Sequence, residues 1–213
     1  MNAQTVRRTV AGPAGSIECA IDAPAGSPAG THPLAVVCHP HPLFGGTMDN
    51  KVVQTLARAL VQRGHTAVRF NFRGIGASTG AWDEGRGEID DALAVVHAHR
   101  AAGQPLVMAG FSFGGYVAAQ ATARLAADPS TAAERLLLVG PAVVNFTVGP
   151  VPAGTLVIQG ESDDVVPMAA VLDWARPQSL PVTVVPGAGH FFHGQLPVLK
   201  QIVLGAWPVC PQA

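Results

Sequence analysis

Six short, mostly apolar runs, each followed by a turn-rich corner, constrain this chain's fold more than anything else in it. They are LAVVCH (34–39), TAVRFNF (66–72), PLVMAGF (105–111), RLLLVG (135–140), TLVIQG (155–160) and VTVVPG (182–187). Between and after them lie stretches with apolar residues at helical spacing: 50–64, 87–103, 113–127, 168–176 and 194–206. Gly64 and Gly103 close the first two, as a helix stop would. Short buried strands alternating with helices predict an α/β fold, with a mostly parallel sheet covered on both faces. TVRRTV and SIECAI, near the N-terminus, predict two antiparallel strands at its edge. The 24 glycines and 18 prolines fall mainly between the apolar runs and mark turns. At 213 residues, the expectation is a single domain over 1–213.

In such a sheet, ligands bind beyond the carboxyl ends of the strands. Those corners therefore carry the chemistry, and three of them hold a Ser, an Asp and a His in that chain order. After PLVMA comes Gly110-Phe-Ser112-Phe-Gly114. After TLVIQ comes Gly160 to Pro167, with Asp163 and Asp164. After VTVVP comes Gly187 to His193, with His190.

The first corner fits G-x-S-x-G. A sharp strand-to-helix turn holds its serine in a strained conformation, where a side chain two residues away on either side would clash. The turn lifts the Ser112 hydroxyl to the top of the sheet. It also aims the N–H of Phe113, at a helix N-terminus, toward any oxyanion formed there. A hydroxyl is a weak nucleophile at neutral pH and needs a base, here His190. The base needs an acid to fix its tautomer, here Asp163 or Asp164. Each residue alone has a structural alternative: a helix cap, a solvated turn, a packed core histidine. All three residue types at three strand ends, in this order, favour the chemistry.

These residues resemble the α/β-hydrolase superfamily, and most closely its cap-less branch of dienelactone-hydrolase-like and predicted bacterial serine esterases. CHPHPLFGGTMDNKVV, FNFRGIGASTG, GFSFGG, GESDDVVP and GAGHFF stand where that branch has its motifs, over nearly the whole chain. The resemblance implies Ser112 as nucleophile, His190 as general base and Asp163 as the acid, with Asp164 as the alternative. It implies the backbone N–H of His41 as the second oxyanion donor beside Phe113, with Leu43 as the alternative. Pro40 and Pro42 have no N–H to offer. The dienelactone hydrolases use a cysteine where this chain has Ser112, which argues against thiol chemistry. Only 14 residues, Pro141 to Gly154, separate RLLLVG from TLVIQG, where lipases insert a lid. The expected site is open, without interfacial activation. Leu43, Phe44, Phe113, Val165 and Phe191 are expected to line an apolar acyl pocket that favours short chains.

The expectation is therefore a carboxylesterase of short acyl esters, needing neither cofactor nor metal. Thioesterase, peptidase or acyltransferase chemistry on the same triad is the alternative, and a non-catalytic binding protein on a hydrolase fold is the other. A small-molecule ester is the expected partner. Net charge −1 and no basic block argue against nucleic acid. No apolar run approaches the roughly 20 residues of a membrane helix. No secretion signal is visible, and the three cysteines, Cys19, Cys38 and Cys210, form no CxxC; a reduced cytoplasmic protein is expected. RGIGASTG has the wrong spacing for a dinucleotide site and predicts a Gly-rich loop. His39 and His41 have no acidic or Cys ligand near them for a metal. His97 and His99 are expected on a helix surface, and Arg73 to hold its loop. LGAWPVC, at the C-terminal end, is expected to pack on the sheet.

Overall fold

The computed structural model describes residues 5–25 and 32–206. Cys210 and most of LGAWPVC lie outside them. Eight strands form one sheet: β1 (Val6–Gly12), β2 (Gly15–Asp22), β3 (Leu34–Cys38), β4 (Thr66–Phe70), β5 (Leu106–Phe111), β6 (Arg135–Val139), β7 (Leu156–Gly160) and β8 (Val182–Val185). Their order is β1-β2-β4-β3-β5-β6-β7-β8. β1 and β2 form the expected antiparallel pair at the edge, and β2 meets β4 antiparallel. Every other pairing is parallel.

Among the described residues there are five α-helices, four between strands and the last after β8: α1 (Lys51–Gln62), α2 (Arg86–His99), α3 (Phe113–Leu125), α4 (Met168–Ala175) and α5 (Leu196–Ala206). Alternate residues of one strand face opposite sides. Val36 and Cys38 of β3 join the core under α2 and α3, while Ala35 and Val37 join the core under α1 and α5. Two covered faces are why a central strand such as β3, Leu-Ala-Val-Val-Cys, is apolar and buried at every position. α4 closes a smaller cluster against Val157 of β7.

The second helix ends sooner than its spacing predicts, at His99 rather than beside Gly103. Arg100 turns extended, and its guanidinium donates to the carbonyl oxygens of Gln104, Thr131 and Ala132. Those three acceptors hold the chain away from a further helical turn. Gly103 then takes a positive φ in the following turn. Between β6 and β7 there is no helix, only a loop. Among the described residues, no helix is long and apolar enough to cross a membrane.

Candidate active site

Ser112 sits between β5 and α3 with φ 56° and ψ −120°, a backbone region L-residues seldom occupy. The flanking glycines permit it. A β-carbon on Gly110 would collide with the carbonyl of Gly114, and one on Gly114 with the carbonyls of Cys38 and His39. The Ser112 N–H donates to the Val139 carbonyl at 2.9 Å, which ties the turn to β6.

His190 comes from the loop after β8. Its Nε2 lies 3.0 Å from Ser112 Oγ, and its Nδ1 lies 2.7 Å from Asp163 Oδ2. A carboxylate only accepts, so Nδ1 carries the proton and Nε2 is free to receive one from the hydroxyl. All three side chains are buried. Gly140, at the end of β6, keeps the space beside the imidazole clear; a β-carbon there would press on His190 and Asp163. Gly160 does the same where β7 meets the His190 loop, because a β-carbon would strike the Ala188 carbonyl. Ser162 N–H donates to that carbonyl at 2.9 Å, drawing the two loops together.

Asp163 Oδ1 accepts from the N–H groups of Val165 and Val166, at 3.0 and 2.7 Å. Oδ2 accepts from His190 and from Gln159 Nε2 at 3.1 Å. Burial pushes this carboxyl up, but its bonds from His190 and Val166 outweigh that and hold it below the usual carboxylate range. Asp164 is exposed. Of the two adjacent acids, Asp163 is the one that meets His190.

The loop after β3 folds into a 3-10 turn over Pro42–Phe44. The N–H groups of Phe44 and Gly46 donate to the His41 carbonyl, and that of Gly45 to Pro42. Leu43 N–H donates to the His41 ring at Nδ1, 3.3 Å away. Pro40 and Pro42 have no N–H. That leaves the His41 N–H without a protein acceptor among the described residues, and the same holds for Phe113 at the start of α3. Both residues line the cavity into which Ser112 opens.

This cavity holds about 350 Å³, toward the small end of ligand pockets. Phe44, Val165 and Phe191 line it as the sequence predicts. Leu43 does not. It is 63% exposed, and its N–H donates to the His41 ring. Its N–H is also spent there rather than free. Asn50, Asn145 and Phe146 are wall residues that the sequence did not single out. Asn50 caps α1, and Phe146 stacks on Tyr116 with ring centres 4.8 Å apart. Their place depends on loop packing, and no motif marks it. His41 lies in the same aromatic wall, 4.5 Å from Trp82 and 5.1 Å from Phe113 between ring centres. Among the described residues, no Asp, Glu, Lys or Arg lines the cavity.

The other chemical residues resolve as structural. His39 is buried, and both ring nitrogens are used: Nδ1–H donates to the Pro40 carbonyl at 2.6 Å, and Nε2 accepts from Phe72 N–H at 3.0 Å. It has no lone pair left for a metal. Among the described residues, no group of three His, Cys, Asp or Glu is arranged to hold one. Arg73 grips Asp91 through two nitrogens and the Gly87 carbonyl through a third bond, the loop-holding role expected of it. His97 is exposed, but His99 is half-buried and its Nε2 has no partner. Burial pushes the Cys38 thiol up, well above its ordinary value.

A protein-family model described as serine aminopeptidase, S33, matches residues 31–155. The chain belongs to that family, an α/β hydrolase. It is 35% identical over 176 residues to an uncharacterised protein of Rickettsia prowazekii, across 75% of this chain and 72% of the relative. A crystal structure from Xanthomonas campestris, described as an α/β serine hydrolase without a lid, is 38% identical; the match covers 99% of each chain, with a TM-score of 0.85. An α/β serine hydrolase homologue from Coxiella burnetii is 37% identical over 95% of this chain and 97% of its own, with a TM-score of 0.82. Est1E from Butyrivibrio proteoclasticus, solved with ferulic acid, shares the fold at 18% identity and a TM-score of 0.73, over 89% of this chain and 93% of its own. The protein is a lidless α/β serine hydrolase.

Proposed function

We propose that this hydrolase is a carboxylesterase of neutral esters with compact acyl groups, working through Ser112, His190 and Asp163. The observation that carries the proposal is the unbroken hydrogen-bonded line from Ser112 Oγ through His190 to Asp163, opening on a cavity beside two unused N–H groups. His190 Nε2 takes the Ser112 proton as the oxygen attacks the ester carbonyl carbon. The N–H groups of His41 and Phe113 receive the oxyanion. The tetrahedral centre collapses, and the alcohol leaves with the proton from His190. Water then attacks the acyl-enzyme by the same route, and Ser112 is restored. Asp163 stays ionised throughout and stabilises the imidazolium.

The cavity wall argues for an ester rather than a peptide read from its amino end. A free N-terminal ammonium buried beside aromatic side chains needs a carboxylate partner. Among the described residues none lines the cavity. A neutral ester carries no such demand, and its acyl group gains from the apolar wall.

The test is hydrolysis of p-nitrophenyl esters from acetate to decanoate, with alanine p-nitroanilide alongside and Ser112→Ala as control. Ester turnover that falls with chain length, drops at least about 10³-fold in the variant, and exceeds anilide turnover supports the proposal. Anilide turnover that matches or exceeds ester turnover overturns it.

A further inference from the structure

Gln159 lies on β7, four residues before Asp163, and is fully buried. By strand alternation it shares a face with Val157, on the side packed by α4. An apolar residue would be the ordinary occupant of that position. Instead, the amide Nε2 makes two bonds, to Asp163 Oδ2 at 3.1 Å and to the Val166 carbonyl at 2.8 Å. Among the described residues, its Oε1 is buried without a hydrogen-bond partner. A buried acceptor left unpaired is unfavourable, so the amide is not explained by its own satisfaction. It is explained by what Nε2 holds. The two bonds clamp the carboxylate and the backbone that follows it onto the strand, and leave the remaining lone pair of Oδ2 aimed at His190 Nδ1.

We propose that Gln159 is a positioning residue, holding Asp163 in the orientation that receives His190. The inference rests on the triad proposed above. Removing the Nε2 donor leaves the Asp163 carboxylate less satisfied and more basic. It then favours the imidazolium more strongly, and His190 gives up its proton at higher pH. Among the described residues, Asp163 is the charged group bonded to His190. The other titratable groups on those two loops are Glu161, whose carboxylate accepts from Gly187 N–H, the exposed Asp164, and His193, which lies beside Phe191.

The experiment is the rate of modification by a fluorophosphonate, followed from pH 4 to 9, for wild type, Gln159→Met and Gln159→Glu. Circular dichroism establishes folding. Modification requires neutral His190, so its rate falls on the acid side at the pH where the imidazole charges. The midpoint of that fall moves up in Gln159→Met and further up in Gln159→Glu, which sets a second negative charge beside Asp163. The plateau rate of the Met variant drops about tenfold, the effect of one lost bond to a charged group. If the Met variant does not fold, the isosteric Glu variant carries the test. An unchanged midpoint in the folded variants overturns the inference, while wild type still reacts. Wild type that takes no adduct at Ser112 at any pH is a different result and removes the triad reading itself.

Discussion

His39 shows how one buried polar side chain ties the catalytic edge of the sheet to pH. Desolvation pushes its imidazole down to about 4, against the partial relief of its bond to Pro40. The unfolded chain takes up this proton near the ordinary 6.5, and the folded protein does not until about 4. The unfolded state therefore binds more protons across that interval, and stability falls as pH drops through it. The full span amounts to about 3 kcal/mol. The residue is completely buried, so solvent screening takes little from that figure. Urea unfolding at pH 7 and pH 4 should show wild type losing about 3 kcal/mol more than His39→Gln. Equal losses would mean that the histidine is charged, or exposed, in the fold. Near it, Gly114 could not have been exchanged for alanine, since the new carbon would meet the Cys38 and His39 carbonyls. Gly110 and Gly114 were readable in advance from the G-x-S-x-G spacing, although only the clash at Gly110 is local, while the carbonyls that exclude a side chain at Gly114 stand at the end of β3.

Elements were legible in proportion to how far their cause is local. The central strands announced themselves because both faces of the sheet are covered there, so β3 and β5 are buried and apolar along their whole length. The end of α2 did not, because three carbonyls from other segments capture Arg100. Gln159 was likewise invisible as a motif. Its value depends on the side of β7 it faces and on how the next turn folds. The loop after β4 belongs at this scale too. It is pinned to α2 by the Arg73 guanidinium, whose donors reach both oxygens of buried Asp91 and the Gly87 carbonyl. Gly87 has no side chain because a β-carbon would overlap that guanidinium. Lysine keeps the charge but loses the fork. Arg73→Lys should cost about 1–3 kcal/mol of stability by chemical denaturation, and fluorophosphonate reactivity should remain. A neutral outcome would mean that the pair contributes nothing to holding the loop.

At the scale of the molecule, the eight strands and five α-helices of the described residues put a serine, a histidine and an acid from three distant segments into one hydrogen-bonded line. Ser112, His190 and an acid at 163 or 164 were legible from order and position, while the choice of Asp163 came from the family resemblance. The wall around them was less so: Phe44 stands on the cavity and Leu43 does not, and Phe146 carries no motif that would mark it. Phe44 is 86% exposed yet lines the cavity. It gives little to the core, so Phe44→Ala should change stability by no more than about 0.5 kcal/mol. The same change should raise KM for p-nitrophenyl butyrate several-fold, with kcat nearly intact, because uniform binding is what it removes. A large fall in kcat at constant KM would contradict that placement.

The central claim is that Ser112 is the nucleophile and His190 its base. The most direct test is peptide mass mapping after treatment with a fluorophosphonate, on wild type and His190→Ala. The account predicts a single adduct, on Ser112, which is lost or formed at least about 10³-fold more slowly without the imidazole. An adduct on another residue, or equal labelling of the two proteins, would contradict it.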